Sequence, residues 1–254
     1  MTQTVSSQAF WDYGPLAEKY DLRPDYDNSL VHATLQAVDL TSGALAVEVG
    51  AGTGKLTGLL LDQGLDVIAI EPNAAMRKIA SAKKPMRAAR WLAANGEALP
   101  LRENCADLVA YGSSFNVLDT QLALEECARV LHTGGVWLAL WNHRDLQDPL
   151  QRAVEQTIQR HVADYDYGRR RQSPAVAVSL HGGFGGVTAC EQRFLVQMPA
   201  HDWLEAWRSH ATLQRQAGDK LAHILREIAA LLAGERIVRV PYHTRLWWAR
   251  RVAR

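Results

Sequence analysis

The sequence has few cysteines, almost no net charge and no long apolar run. Its three cysteines, Cys105, Cys127 and Cys190, are odd in number and lack metal-ligand spacing, so no disulfide framework or cysteine-ligated metal module is expected. A reducing cytoplasm suits such a chain. A net charge of +1 with 22% charged residues supplies no general field for nucleic acid or an anionic membrane. Apolar runs such as 67–70 are strand-sized, far short of the ~20 residues that span a bilayer. The opening stretch, MTQTVSSQAFWDYG, has neither the basic region nor the apolar core of a signal peptide. No internal repeat or low-complexity tract stands out. What is there is a chain of 254 residues, long enough to bury a sizeable core as one domain, or as one domain with a cap.

The densest signal lies in residues 45–73, LAVEVGAGTGKLTGLLLDQGLDVIAIEPN. An apolar run, Leu45-Ala46-Val47, ends on Glu48, and Gly50, Gly52 and Gly54 follow at every second position. A helical segment then carries Leu56, Leu59 and Leu60 on one face, and a second apolar run, Val67 to Ile70, ends on Glu71. Strand, glycine loop, helix, strand and acid make one βαβ unit. In such a unit a ligand lies across the carboxyl ends of the strands. Glycine lets the backbone come close to it, and a carboxylate on the next strand tip can accept both hydroxyls of a ribose.

Spacing separates three families with this outline. A P-loop needs Ser or Thr directly after Gly-Lys, but Leu56 follows Gly54-Lys55. A dinucleotide fingerprint needs a glycine three residues after the second one, where this chain has Lys55. The remaining pattern, Glu48-Val49-Gly50-Ala51-Gly52-Thr53-Gly54, resembles motif I of the class I methyltransferases that use S-adenosylmethionine. Glu48 and Glu71 stand 23 residues apart, close to the roughly 20 of an α/β nucleotide site. Further phrases resemble the same family. These are Ala17 to Tyr26 near the start, Asn95-Gly96-Glu97-Ala98-Leu99-Pro100-Leu101 as an adenine loop, and Arg129-Val130-Leu131 before Gly134-Gly135. The final Val240-Pro241-Tyr242-His243-Thr244-Arg245 belongs with them. Two departures stand out: Gly96 replaces the usual alanine, and Phe115-Asn116 replaces a His-Trp pair common in the related subgroup.

The resemblance implies an α/β, Rossmann-like, seven-stranded sheet, mostly parallel with an antiparallel last strand, helices on both faces and a helical cap. Residues 1–40 are expected to form lid helices, 41–147 the cofactor-binding core, 148–186 a cap insertion, and 187–254 the rest of the core with cap helices. Single helices are expected over 149–164 and over 214–233. The implied cofactor-binding residues are Tyr20, Glu48, Gly50, Ala51, Gly52, Gly54, Glu71, Pro72, Met76, Asn95, Gly96, Glu97, Gly112 and Ser113. S-adenosylmethionine would be used and S-adenosylhomocysteine released, with no metal.

Position in the chain adds candidates on the acceptor side. The aromatics Phe10, Trp11, Tyr13 and Tyr20 either pack on the domain or form a lid, where a sulfonium would gain cation–π attraction. Ser114 and Asn116 follow the fourth strand, and Asn116 either orients a substrate or caps its loop. His143, at the end of the fifth strand, either accepts a proton or caps local backbone. Trp203 and Trp207, with His210 beyond, line an apolar pocket or simply fill a cap. Arg169-Arg170-Arg171 either grip an anion or form a solvated loop. Tyr20, Asn116 and His143 are the catalytic candidates. The expected activity is methyl transfer to a small organic acceptor, aromatic or heterocyclic and of secondary metabolism. The protein acting would be a monomer or homodimer without nucleic-acid or membrane partners. Alternatives are transfer to tRNA or protein, a SAM-binding protein without catalysis, and a nicotinamide-dependent oxidoreductase, against which the missing glycine counts.

Overall fold

The computed structural model describes residues 14–166 and 172–253. In its first half, a short turn leads to α1 (Ala17–Asp21) and α2 (Asn28–Ala37). There follow β1 (Leu45–Val49), α3 (Lys55–Asp62), β2 (Asp66–Ile70), α4 (Ala74–Ala82) and β3 (Arg90–Leu92). The second half begins with β4 (Ala106–Gly112), α5 (Thr120–Val130), β5 (Leu131–Arg144), α6 (Pro149–His161) and α7 (Ala175–His181). It closes with β6 (Thr188–Pro199), α8 (Ala200–Arg208), α9 (Ala211–Ala217), α10 (Leu221–Leu231) and β7 (Ile237–Arg250).

Helix starts follow from local chemistry. Asp27, Asn73, Asp119 and Asp148 each accept backbone N–H groups at the first turn of α2, α4, α5 and α6, satisfying donors that a helix leaves open. The strands β1 and β2 are buried along nearly their whole length, as continuous apolar runs inside a parallel sheet should be. Among the described residues seven strands form one sheet in the order β3-β2-β1-β4-β5-β7-β6. Strand β7 runs antiparallel to both of its neighbours, and the pairs from β3 to β5 are parallel. The strand order reverses between β1 and β4, so the ligand crevice of such a sheet opens beyond Val49 and Gly112.

Three apolar clusters hold the layers. On one face Tyr111, Phe115 and Trp137 pack with α5, and Val178 of α7 and Phe184 join them; Phe115 meets both other rings edge to face. On the other face Val31, Leu35, Leu56 and Leu60 cover Leu108, Leu138 and Leu246. The third cluster lies beyond the carboxyl ends of the parallel strands. There Val154, Ile158, Trp203, Trp207, Ile224 and Ile228 pack onto Val238 and Val240, so α6, α8 and α10 form a cap over the start of β7.

Three sequence expectations need adjusting. Residues 148–186 divide between two layers: α6 joins the cap, whereas α7 carries Val178 back to the main sheet. The helix expected over 214–233 is two, because the chain turns at Gly218 (φ 52, ψ −129) between α9 and α10. Helix α6 ends at His161 rather than Asp164. No helix among the described residues is long and apolar enough to cross a membrane.

Candidate active site

The glycine loop is fixed from both sides. Gly50 and Ala51 donate their N–H groups to the Ile70 carbonyl, at 2.8 and 2.9 Å. Gly52 donates to Glu71 Oε2 at 2.8 Å, and Asn73 donates to Glu71 Oε1 at 2.8 Å. Glu71 is 7% exposed. Burial raises its pKa, opposed by the amides of Asn73 and Gly52. A carboxylate has about four acceptor positions, so two remain beyond these amides. Gly50 has φ +70, and a Cβ there would stand 2.5 Å from Ser114 Cβ. Both facts demand glycine. Among the described residues a Cβ on Gly52 would meet Tyr20 Cε1 of α1 at 3.9 Å, an ordinary van der Waals contact, at a backbone φ of +58.

Several expected residues are buried in the fold. Glu48 is 1% exposed and accepts from the Thr57 hydroxyl; burial pushes its carboxyl up to about 8, opposed by that hydroxyl. Ser114 turns its Oγ back to donate to the Val49 carbonyl, which the bare Gly50 makes room for, so it does not reach the pocket. Met76 is buried on α4. Gly54 caps α3 in the left-handed conformation, over Met86. A Cβ on Gly96 would stand 2.6 Å from Val49 Cγ1 and 2.7 Å from Leu118 Cδ1. This close approach explains the departure from alanine. Glu97 Oε1 accepts from Asp119 N at 3.1 Å, and Asn95 O accepts from Ala98 N at 3.3 Å, so this loop is pinned to the start of α5. Pro72 lies between Glu71 and the cap of α4.

Beside the loop, and under the cap, is a pocket. Tyr20, Arg23, Tyr26, Lys55 and Ser113 line its loop side. Trp141, His143, Arg144 and Tyr242 line its sheet side, and Trp203, Trp207 and His210 line its cap side. Of the expected residues it brings together Tyr20, Ser113, His143, Trp203, Trp207 and His210. Asn116 is not among its lining residues; it sits on the turn Phe115–Val117, with Oδ1 buried and unbonded among the described residues. Phe10, Trp11, Tyr13 and the run 169–171 lie outside the described residues.

The sequence reading missed Arg23, Tyr26, Arg144 and Tyr242. Register explains the last two: Arg144 pairs with Tyr242 across β5 and β7, residues nearly a hundred positions apart. Arg144 forms an ion pair with Glu155, each side chain 9% exposed, and its guanidinium stands 4.7 Å from the Trp207 ring centre. Arg23 lies 4.3 Å over the Tyr20 ring and donates to Ser209 Oγ at 3.1 Å, binding α1 to the cap. Tyr26 donates to Ser113 Oγ at 2.8 Å. Ser113 itself has φ +59, a strained backbone of the kind that gathers at functional sites. Asn142 donates to the Asp25 carbonyl at 2.9 Å and accepts from Thr244 Oγ1 at 2.7 Å, which latches the segment bearing Arg23 and Tyr26 to the sheet. Burial raises the Tyr242 pKa, opposed by the charges of Arg144 and Arg23. The pocket is therefore aromatic, with cationic and imidazole groups at its polar points.

A family profile for a methyltransferase domain matches residues 47–139. An uncharacterised methyltransferase of Mycobacterium tuberculosis (strain H37Rv) is 36% identical over 123 residues, 48% of each chain. A ubiquinone/menaquinone biosynthesis C-methyltransferase of Yersinia pestis is 30% identical over 154 residues, covering 55% of this chain and 61% of that one. The chain thus matches about half the length of the first of these curated relatives. Among solved structures, a provisionally assigned type II methyltransferase from Anaeromyxobacter dehalogenans superposes with a TM-score of 0.66. It is 20% identical and covers 91% of this chain and 99% of that one. The match spans the glycine loop, Glu71 and the strands that flank them. Over residues 47–139 the chain is thus similar to a methyltransferase domain, and the superposition shows that it shares the fold of that solved structure.

Proposed function

We propose that the protein transfers a methyl group from S-adenosylmethionine to a small, flat organic acceptor. The observation that carries the reading is the adjacency of the glycine loop, held by Glu71 from the tip of β2, to a pocket walled by Tyr20, Trp141, Trp203, Trp207 and Tyr242.

The residues present suit the cofactor. Gly52 presents bare backbone beside the Tyr20 ring, and Glu71 retains acceptor positions for two ribose hydroxyls. The pinned loop 95–97 would meet the adenine edge, and the Tyr20 face would lie near the sulfonium. When bound, S-adenosylmethionine supplies an activated methyl group, so the chain needs no covalent nucleophile. Its residues position the partners and exclude water. Well-oriented neighbours gain about 7–11 kcal/mol by positioning alone. Trp203 and Trp207 would hold the acceptor plane, and His143 would take the acceptor's proton where the acceptor carries one.

The test is transfer of labelled methyl from S-adenosylmethionine to a panel of aromatic and heterocyclic phenols, amines and carboxylates. Wild type should label at least one of them, and Trp207→Phe should raise KM more than it lowers kcat. Label appearing only in a tRNA or protein fraction would contradict the small-acceptor reading.

A further inference from the structure

On the outer side of the cap, away from the pocket, a second group of chemistry-bearing side chains converges. His161 ends α6, while His223 and Glu227 stand on α10 four residues apart, a spacing that puts both on one helix face. Nε2 of His161 and Nε2 of His223 lie 2.8 and 2.9 Å from the same carboxylate oxygen, Glu227 Oε1. The two imidazoles meet edge to face with centres 4.8 Å apart, and the three ligand atoms all lie within 4.8 Å of one another. Imidazole nitrogen and carboxylate oxygen bind zinc at roughly 2.0–2.2 Å. Ligand atoms on one such ion therefore stand roughly 3–3.5 Å apart, within a small adjustment of this arrangement.

The surroundings bear on this too. Glu227 Oε2, the oxygen turned away from the histidines, accepts from Arg160 at 2.7 Å; outer partners of this kind hold carboxylate ligands in place. Lys220 Nζ donates to the His161 carbonyl at 2.8 Å, and Arg226 Nη2 stands 3.2 Å from His223 Nδ1. All three cations contact atoms other than the three that converge.

We propose that His161, His223 and Glu227 bind one divalent transition-metal ion, of the zinc class, which clamps the end of α6 to α10. Two imidazoles and a carboxylate suit zinc, cobalt or nickel and not magnesium or calcium, which prefer all-oxygen shells. Each histidine coordinates through Nε2 as neutral imidazole with its proton on Nδ1, so the exposed Arg226 swings away, and solvent completes the shell. The clamp bears on the pocket. Ile224 and Ile228 of α10, with Val154 and Ile158 of α6, pack in the same cluster as Trp203 and Trp207. The ion is structural, and the proposal does not depend on the cofactor reading.

The experiment is calorimetric titration of the chelator-stripped, full-length protein with Zn2+ at neutral pH, alongside thermal unfolding with and without the ion. One equivalent should bind and raise Tm. His161→Ala and His223→Ala, each verified as folded by circular dichroism, should each weaken that binding at least about tenfold and abolish the Tm rise. Glu227→Gln, which keeps the side-chain shape and removes the anionic ligand, should weaken it as well. Absence of stoichiometric binding would overturn the proposal. So would binding of equal strength in wild type and both histidine variants, because the ion would then sit elsewhere.

Discussion

The backbone N–H of Gly52 donates to the Glu71 carboxylate across 2.8 Å, and the same carboxylate accepts from Asn73. One side chain on the tip of β2 thereby sets the height of the glycine loop that leaves β1. A buried acceptor removed from two donors leaves both unsatisfied. Glu71→Ala should therefore speed amide hydrogen exchange at Gly52 and Asn73 by about tenfold or more, while exchange within β4 and β5 stays unchanged. Unchanged exchange at both amides would mean that the loop holds its shape without Glu71.

Glu48 predicts a pH dependence of stability. Its carboxyl is raised from 4.5 to about 8 by burial. A group raised on folding contributes fully below its unfolded value, and that contribution is lost as pH rises through the folded one. Wild type should thus lose stability relative to Glu48→Gln between about pH 4.5 and 8. The loss should be on the order of a few kcal/mol. Parallel Tm-versus-pH curves for the two proteins would contradict this.

The parts of the site legible in the sequence are those built from neighbours in the chain. Gly50, Gly52 and Glu71 belong to one βαβ unit, so spacing alone places them together. Trp203 and Trp207 share one face of a short helix, so periodicity places them together but leaves pocket and cap open; they line the pocket and also pack in the cap cluster. Arg144 and Tyr242 meet only through the antiparallel register of β5 and β7, which no local pattern encodes. Ser114 stood in the right segment, but its direction depended on the empty space over Gly50. The helix expected over 214–233 failed at Gly218, where a single residue's backbone outweighs the apolar periodicity on either side.

That empty space gives a third prediction. Gly50→Ala places a Cβ 2.5 Å from Ser114 Cβ at a backbone φ of +70. Both the clash and the backbone strain are destabilising, by about 1–3 kcal/mol each. Gly50→Ala/Ser114→Gly should recover only part of the loss, since it relieves the clash and not the backbone. Urea unfolding measures both variants, and full recovery in the double variant would show that φ carries no cost there.

The buried pair Arg144 and Glu155, each 9% exposed, gives a fourth. Removing one partner leaves the other charge buried, at about 3–5 kcal/mol. Arg144→Met should therefore unfold at markedly lower denaturant concentration. Arg144→Met/Glu155→Leu should recover most of the difference, because an apolar pair avoids the uncompensated charge. Equal losses in the single and double variants would place the cost in the Trp207 contact instead.

The most direct test of the account is calorimetric titration of wild type and Glu71→Ala with S-adenosylhomocysteine, with NADH and ATP as controls. Wild type should bind S-adenosylhomocysteine alone. The variant, lacking the carboxylate proposed to accept two ribose hydroxyls at about 1.5–3 kcal/mol each, should bind it at least about 100-fold more weakly. Binding of NADH in its place, or equal binding by the two proteins, would contradict the assignment of the loop and of Glu71.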